Sequence, residues 1–173
     1  MKLMKPTVLV ATCFICVPVL AAEPTAADYL TFFKPIIGEW NATFRSGDSI
    51  SQGELSLSLS PTKGSIIESA RGFGPIPAFD GVSGFDPETK SWKSLFFNAK
   101  GECVTRYCSA PKLEGSEASF QVRFLSADPT GKVTEETVTW RIKISPNRYE
   151  IHATNATRDG QEQPDLEAVF ERK

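Results

Sequence analysis

Short segments in which apolar and polar residues alternate constrain this chain more than any other feature. The clearest is ELSLSLS (54–60), where three leucines share one face and three serines share the other. A period of two predicts a strand with one buried face and one solvated face. Most of the chain must therefore be explained as β-structure.

Similar segments recur at short intervals, and turn sequences such as DPETK and ADPTGK separate most of them. Strands joined by short links pair with their neighbours as an antiparallel meander, and closure into a barrel removes the exposed edges. We predict a single all-β, up-and-down antiparallel barrel of about ten strands, with a two-sheet sandwich as the alternative. The predicted strands lie around Trp40–Phe44 and at 54–60, 65–72, 81–86, 91–98, 102–109, 118–125, 133–144, 148–157 and 166–172.

A short helix is predicted before the first strand, over 25–34. Thr25 suits the N-cap, Asp28 suits the first turn, and Pro35 ends the helix. One face has the i, i+3, i+4, i+7 spacing of buried helical residues, namely Tyr29, Phe32, Phe33 and Ile36.

Residues 1–22 have the composition of a cleaved secretory signal peptide. Lys2 and Lys5 precede an apolar run, Val8–Leu20, which is too short to span a bilayer comfortably and ends at Ala21-Ala22. We therefore expect one exported domain, 23–173, either periplasmic or secreted from a bacterium, with no transmembrane span in the mature chain.

The charge balance of the predicted domain argues against nucleic acid as a partner. Residues 1–22 contain two lysines and no acid, so 23–173 holds 17 basic and 21 acidic residues, a net charge of −4. Neither a basic run nor a basic excess is present to neutralise phosphates.

Two of the four cysteines lie in the predicted signal peptide and two lie in the predicted domain. A lipoprotein anchor at Cys13 or Cys16 is an alternative to cleavage at the alanines. Cys103 and Cys108 remain in the domain, and on one straight strand they would lie ~16 Å apart and point to opposite faces. A disulfide needs Cα atoms within about 7 Å, so we favour free thiols over a bent segment.

The start of the first strand carries a family resemblance. Gly38-Glu39-Trp40 resembles the G-x-W motif of lipocalins and related calycin barrels. The resemblance implies a lipocalin-like barrel whose base is closed by a basic residue of the last strand packed across Trp40, and Arg172 occupies that position. The predicted helix would cap the same end.

Longer stretches resemble an uncharacterised family of secreted bacterial lipocalin-like proteins. They are FDGVSGFDPETKSWKSLFFNAKGE (79–102), TWRIKISPNRYEIHAT (139–154) and DGQEQPDLEAVFERK (159–173). This resemblance implies the fold and leaves the function open.

Residues for acid–base or metal chemistry are scarce. His152 is the only histidine, and strand parity places it outside the barrel, where it could neither assist a nucleophile nor bind haem. A bulge between Tyr149 and His152 would reverse that orientation. Without a second histidine or a C-x-x-C pair, zinc is not indicated. We expect no catalytic residue, metal or cofactor, and favour a non-enzymatic protein over a hydrolase or isomerase.

The predicted interior is the main functional feature. A barrel of this size is either filled by its side chains or holds one small molecule, and cavities that bind such molecules are mostly apolar with a few polar groups. The aromatic candidates to line a cavity are Phe44, Phe96, Phe120, Phe124, Trp140 and Tyr149. The polar candidates are Arg71, Asn98, Tyr107 and Asn155, although parity is ambiguous in the strands that carry the first three.

Two functional hypotheses follow. In the first, the barrel binds a small apolar or amphipathic ligand that enters through the open end, beneath the 72–81 loop. In the second, the interior is solid and the outer face docks to a protein partner whose identity the sequence does not indicate. An exposed apolar patch, for example around Val169, Leu125 and Phe97, would mark the second.

Overall fold

The computed structural model describes residues 23–72, 77–114 and 117–173. The predicted signal peptide lies outside the described residues, and so does part of the loop predicted at the open end of the barrel, 73–76. The described chain forms α1 (Ala26–Phe33), a 3-10 turn (Lys34–Ile36) and twelve strands. The strands are β1 (Gly38–Ser46), β2 (Ser49–Leu59), β3 (Ser65–Arg71), β4 (Phe79–Asp86), β5 (Ser91–Asn98), β6 (Cys103–Cys108), β7 (Lys112–Glu114), β8 (Glu117–Ala127), β9 (Val133–Ser145), β10 (Arg148–Arg158), β11 (Gln161–Glu162) and β12 (Leu166–Arg172).

The predicted N-terminal helix and its cap are confirmed. The Thr25 hydroxyl accepts a hydrogen bond from the Asp28 amide, while the Asp28 carboxylate accepts one from the Thr25 amide at 2.8 Å. This reciprocal capping box satisfies amide groups that a helix start otherwise leaves unpaired. Pro35 does not end the helical path at once, because the chain tightens into a 3-10 turn around it. Within the described residues, no helix has the length and apolar character needed to cross a membrane.

Ten of the strands form a closed antiparallel ring. They pair in chain order from β1 to β12, with β7 and β11 left out of the ring. The last strand closes it, because β12 pairs with β10 on one side and with β1 on the other. The predicted barrel is thereby confirmed, and the sandwich alternative is wrong.

The two strands outside the ring were not predicted. β7 pairs with the start of β8 through Lys112↔Ser119 to Glu114↔Glu117, in a region where the sequence indicates only a turn. β11 pairs with the end of β10 through two residue pairs. Both strands are too short to show a period-two pattern.

The helix closes one end of the barrel with aromatic contacts. Tyr29 stacks on Trp92 with ring centroids 5.7 Å apart, Phe33 lies 5.3 Å from Trp92, and Phe32 lies 5.0 Å from Phe120. We call this end the base. The interior of the base is shielded from solvent, because Tyr29, Trp92 and Phe120 are all buried.

Trp40 and Arg172 lie side by side at the base, where the first and last strands meet. The Arg172 guanidinium carbon is 4.2 Å from the centre of the Trp40 ring. Its nitrogens donate to the carbonyls of Pro35, Ile37 and Pro146 at 2.8, 3.0 and 3.2 Å. The Trp40 indole donates to the Ile36 carbonyl at 2.8 Å. One side chain therefore joins the last strand, the first strand and the segment after α1.

Gly38 makes this closure possible. Its φ of +144° is a conformation that residues with a side chain rarely adopt. A Cβ at this position would also collide with the Arg172 guanidinium. The glycine of the G-x-W motif thus leaves space for the arginine.

Arg172→Met should destabilise the barrel by about 2 to 4 kcal/mol, since it removes a cation–π contact and three hydrogen bonds to carbonyls. Urea unfolding at neutral pH measures the change. Arg123→Met is the matched control, because Arg123 forms a 3.3 Å pair with Glu135 in which both side chains are half exposed. That change should cost less than about 1 kcal/mol. Equal costs for the two variants would contradict a closing role for Arg172.

Candidate functional site inside the barrel

The end of the barrel opposite α1, here called the mouth, is lined by inward-facing aromatic rings that stay partly exposed. Phe124 follows the base residue Phe120 by four positions, which is ~13 Å along the strand. Phe124 and Trp140 face inward at intermediate exposure, with ring centroids 5.8 Å apart. Phe44 also faces inward at intermediate exposure and lies 5.8 Å from Phe170. Apolar wall surface at the mouth thus remains accessible.

The aromatic candidates predicted from the sequence all face the interior but occupy different depths. Phe44 and Phe124 lie towards the mouth, Trp140 is paired with Phe120 on the neighbouring strand, and Phe96 is buried on β5, four residues beyond Trp92. Phe120 and Tyr149 belong to the packed part of the core. Tyr149 stacks on Phe170 at 4.2 Å and meets Trp40 edge to face at 4.8 Å.

Two polar candidates lie on the outer face instead. Alternation in β3 buries Ile66, Glu68 and Ala70, so Arg71 points outward, where it pairs with Asp80 at 2.8 Å. Alternation in β6 likewise turns Tyr107 outward, between Lys93 and Arg123. Arg71 and Tyr107 therefore do not line the interior.

The other two polar candidates serve the backbone. Asn98 closes the β5–β6 turn, where its side chain accepts from the amides of Lys100 and Glu102 at 2.9 and 3.1 Å. Asn155 is exposed at a bulge in β10, with φ +54°. The bulge inserts an extra residue, so the period-two count that placed Asn155 inside fails there.

A polar cluster inside the barrel was not predicted. Glu68, Ser83, Ser94 and Arg106 come from four consecutive strands, β3 to β6, and all face inward. Arg106 donates to Glu68 at 2.8 Å and to Ser94 at 2.7 Å. The Ser83 hydroxyl donates to the Glu68 carboxylate, and its oxygen can accept from the Ser94 hydroxyl 2.7 Å away. The ion pair is largely buried, with side-chain exposures of 14% for Arg106 and 8% for Glu68.

Aromatic rings flank the cluster. The Arg106 guanidinium carbon lies 4.8 Å from the centre of the Phe96 ring and 5.5 Å from that of Trp140. Gly81 makes room for the Phe96 ring, because a Cβ there would collide with it. The cluster therefore sits beside rings that are candidate walls of a cavity, and Arg106 is paired with Phe124 across β6 and β8.

The cluster also sets the protonation of its neighbours. Burial is the largest influence on the pKa of the Arg106 guanidinium and lowers it, but Glu68, Cys108 and Tyr149 together raise it above its usual value, so the arginine stays charged. Burial raises the pKa of the Cys108 thiol to about 11, a shift that Arg106 opposes. Burial, and then the Glu68 charge, raise the pKa of Tyr149 well above its usual value. Cys108 and Tyr149 are therefore neutral at physiological pH.

Cys103 and Cys108 are both free, as the spacing argument favoured. They lie at the two ends of one continuous strand. Cys108 is buried inside the barrel, and Cys103 has outward parity.

The single histidine faces outward, in agreement with its predicted parity. His152 is exposed and has Glu150 and Glu167 at 3.8 and 3.6 Å. The bulge in β10 lies after it, between Thr154 and Thr157, so its orientation is not reversed. Within 23–72, 77–114 and 117–173, no three His, Cys, Asp or Glu side chains are grouped as metal ligands would be.

Comparison with known proteins identified neither a family nor a related protein. The chain matches no protein-family model, and no curated protein matches it. The closed ten-strand barrel, with Arg172 packed over Trp40 at its base, is compatible with a lipocalin-like fold.

Raising the pH should destabilise the protein through Cys108. A thiol whose pKa is about 11 in the folded chain and 9.0 in the unfolded chain stabilises the fold fully below pH 9. This stability is lost as the pH rises through the folded pKa, and amounts to about 3 kcal/mol. In urea unfolding from about pH 8 to about pH 11, Cys108→Ala should show a smaller loss of stability than the unmodified chain.

Cys103→Ala is the matched control for the alkaline experiment, and it should lose stability with pH as the unmodified chain does. Tyr29, whose pKa burial raises to about 12, contributes a further loss at higher pH in all three proteins. Identical pH profiles for the two cysteine variants would contradict the assignment to Cys108.

Proposed function

We propose that this protein is an exported, non-enzymatic barrel that binds a small apolar or amphipathic molecule through its mouth. One observation carries the proposal: two neighbouring inward-facing aromatic rings, Phe124 and Trp140, remain partly exposed. Apolar surface that faces the inside of a barrel and is not covered by protein is suited to covering by a ligand.

The contrast between the two ends supports this proposal. At the base, the helix and the Trp40–Arg172 contact close the ring over buried rings. At the mouth, no helix among the described residues covers the barrel, and the edge is polar, with Arg158 donating to Glu136 at 2.6 Å. A polar edge around an apolar interior favours entry of a molecule with a long apolar part.

The export and family assignments are part of the same proposal. They rest on the basic and apolar sequence of residues 1–22 and on the Gly38-Glu39-Trp40 motif, which resembles that of lipocalin-like secreted proteins. The intact mass of protein expressed from the full sequence tests export. A mass corresponding to 23–173 would support it, and a retained N-terminal segment would oppose it.

Binding can be tested with N-phenyl-1-naphthylamine, a neutral apolar dye that fluoresces when it leaves water. When the dye is titrated into protein expressed from the full sequence, its fluorescence should rise and then saturate. Trp140→Ala should weaken dye binding by about tenfold or more, since it removes one wall of the cavity. Urea unfolding of the same variant separates lost affinity from lost stability, which core truncation reduces by a few kcal/mol.

Phe97→Ala is the matched control for the dye experiment. Phe97 lies on β5 beside Phe96 but points outward and is 60% exposed. Dye affinity should be unchanged in this variant. Absence of saturable binding by the unmodified protein would overturn the proposed function, and equal effects of the two substitutions would remove Trp140 from the site.

A second candidate function, docking to a protein, is favoured by an apolar row on the outer face. Ile67, Val82 and Leu95 are 44%, 46% and 37% exposed and lie opposite one another on β3, β4 and β5. Phe97 extends the row. Of the residues expected to form a patch, Leu125 is half buried on β8, while Val169 lies on the distant β12.

Charges of both signs flank the row, with Arg71–Asp80 on one side and Lys93–Asp86 on the other. Such a border can pair with itself in a second copy of the chain turned through a two-fold axis. Sedimentation velocity at increasing concentration should then reveal a dimer, and Val82→Glu should abolish it. A monomer at all concentrations would contradict this second candidate.

A further inference from the structure

The polar cluster inside the barrel has hydrogen-bonding groups that the protein does not use. The hydrogen bonds among the described residues leave Arg106 Nη1, Glu68 Oε2 and the Tyr149 hydroxyl without a partner. In the same part of the chain, every fully enclosed side-chain nitrogen or oxygen has a partner. These three atoms therefore border open space, and since their side chains point inward, that space is inside the barrel.

The position of these groups suits contact with a molecule that enters from the mouth. Arg106 lies against Phe96 and Trp140, so its guanidinium contacts one buried ring and one partly exposed ring. Tyr149 faces the same interior from β10, and the Glu68 and Arg106 charges shift its pKa in opposite directions. A hydrocarbon tail among the rings would leave its other end beside the cluster.

The net charge of the cluster determines which ligand head groups it can bind. The opposite charges of Glu68 and Arg106 neutralise each other, with Arg106 Nη2 2.8 Å from Glu68 Oε1. A carboxylate or ammonium group brought beside them would be a third buried charge without a partner, which is costly. A neutral group would face no such cost.

We propose that the Glu68–Arg106 cluster binds the uncharged polar head group of an amphipathic ligand, an alcohol or primary amide on a hydrocarbon tail. Such a head group both donates and accepts. It can donate to Glu68 Oε2 and accept from Arg106 Nη1 or from the Tyr149 hydroxyl. This inference rests on the proposed ligand-binding function and specifies the ligand's head group.

Displacement of bound N-phenyl-1-naphthylamine by three molecules with the same tail tests the inference. The competitors are 1-decanol, decanoate and decylammonium, at about pH 8, where the last two are charged. Decanol should displace the dye at a concentration at least about tenfold lower than either ion, because only the ions add an unpaired charge. Equal or stronger displacement by decanoate or decylammonium would overturn the inference.

Glu68→Gln gives a signature that a merely structural role of the ion pair would not produce. The substitution keeps the shape of the side chain but leaves Arg106 without its counter-charge. Decanoate should then become the preferred competitor, by about tenfold over decanol. An unchanged preference for decanol in a folded Glu68→Gln protein would overturn the inference.

A double variant covers the case in which the single variant fails to fold. Glu68→Leu with Arg106→Met removes both charges and leaves neither one buried alone. It should still bind the dye but lose the preference for decanol over the ions, and a retained preference would overturn the inference. Absence of dye binding by the unmodified protein would overturn the proposed function itself, whereas dye binding without a decanol preference would overturn only the head-group assignment.

Discussion

Closure of the ring by β12 is the constraint on which the rest of the structure depends. An open sheet of ten strands would expose two edges, and here the last strand satisfies both by pairing with β10 and with β1. Arg172 fixes this closure from the side, since it contacts Trp40 and donates to carbonyls on both sides of the junction. With the base sealed in this way, the opposite end is the one that no helix among the described residues covers. The depth of every inward side chain is therefore defined by its distance from the base.

The Glu68–Arg106 pair is not explained by stability. A buried ion pair must offset the loss of hydration of two charges, and replacement by apolar residues of similar size is often neutral or stabilising. The neighbouring serines improve the balance, because Ser83 and Ser94 supply hydrogen bonds to the two charged groups. Even so, an apolar layer at this level would complete the core more simply. A role in recognition gives the pair a reason to be present, and accounts for the groups it leaves unused.

The sequence was sufficient to predict the barrel and the capped helix, because each has a strong local pattern, whereas the contact between the first and last strands was implied by the resemblance of Gly38-Glu39-Trp40 to the lipocalin motif. The sequence did not show which residues of β3, β5 and β6 face the interior of the barrel. Ile66-Ile67 and Phe96-Phe97 place an apolar residue on both faces, so alternation does not say which face is inside. Those strands carry three of the four residues of the polar cluster, which is why Arg106 was missed while the outward Arg71 and Tyr107 were considered. Asn155 was misplaced for a different reason, since a bulge shifts the count by one and period-two patterns do not reveal bulges.

The ambiguity in these strands has a structural meaning. At one level of the barrel the usual polarity is inverted on three neighbouring strands, where Ile67, Val82 and Leu95 point outward and the adjacent Glu68, Ser83 and Ser94 point inward. A slip of one residue would exchange the two sets, burying the apolar side chains and exposing the polar ones. Residues at other levels prevent the slip, because it would also turn Trp92 and Phe96 out of the core. The fold therefore maintains a polar interior and an apolar exterior at the same place, against the local hydrophobic preference. An interior group that recognises a ligand and an exterior row that meets a protein would each account for one half of this inversion.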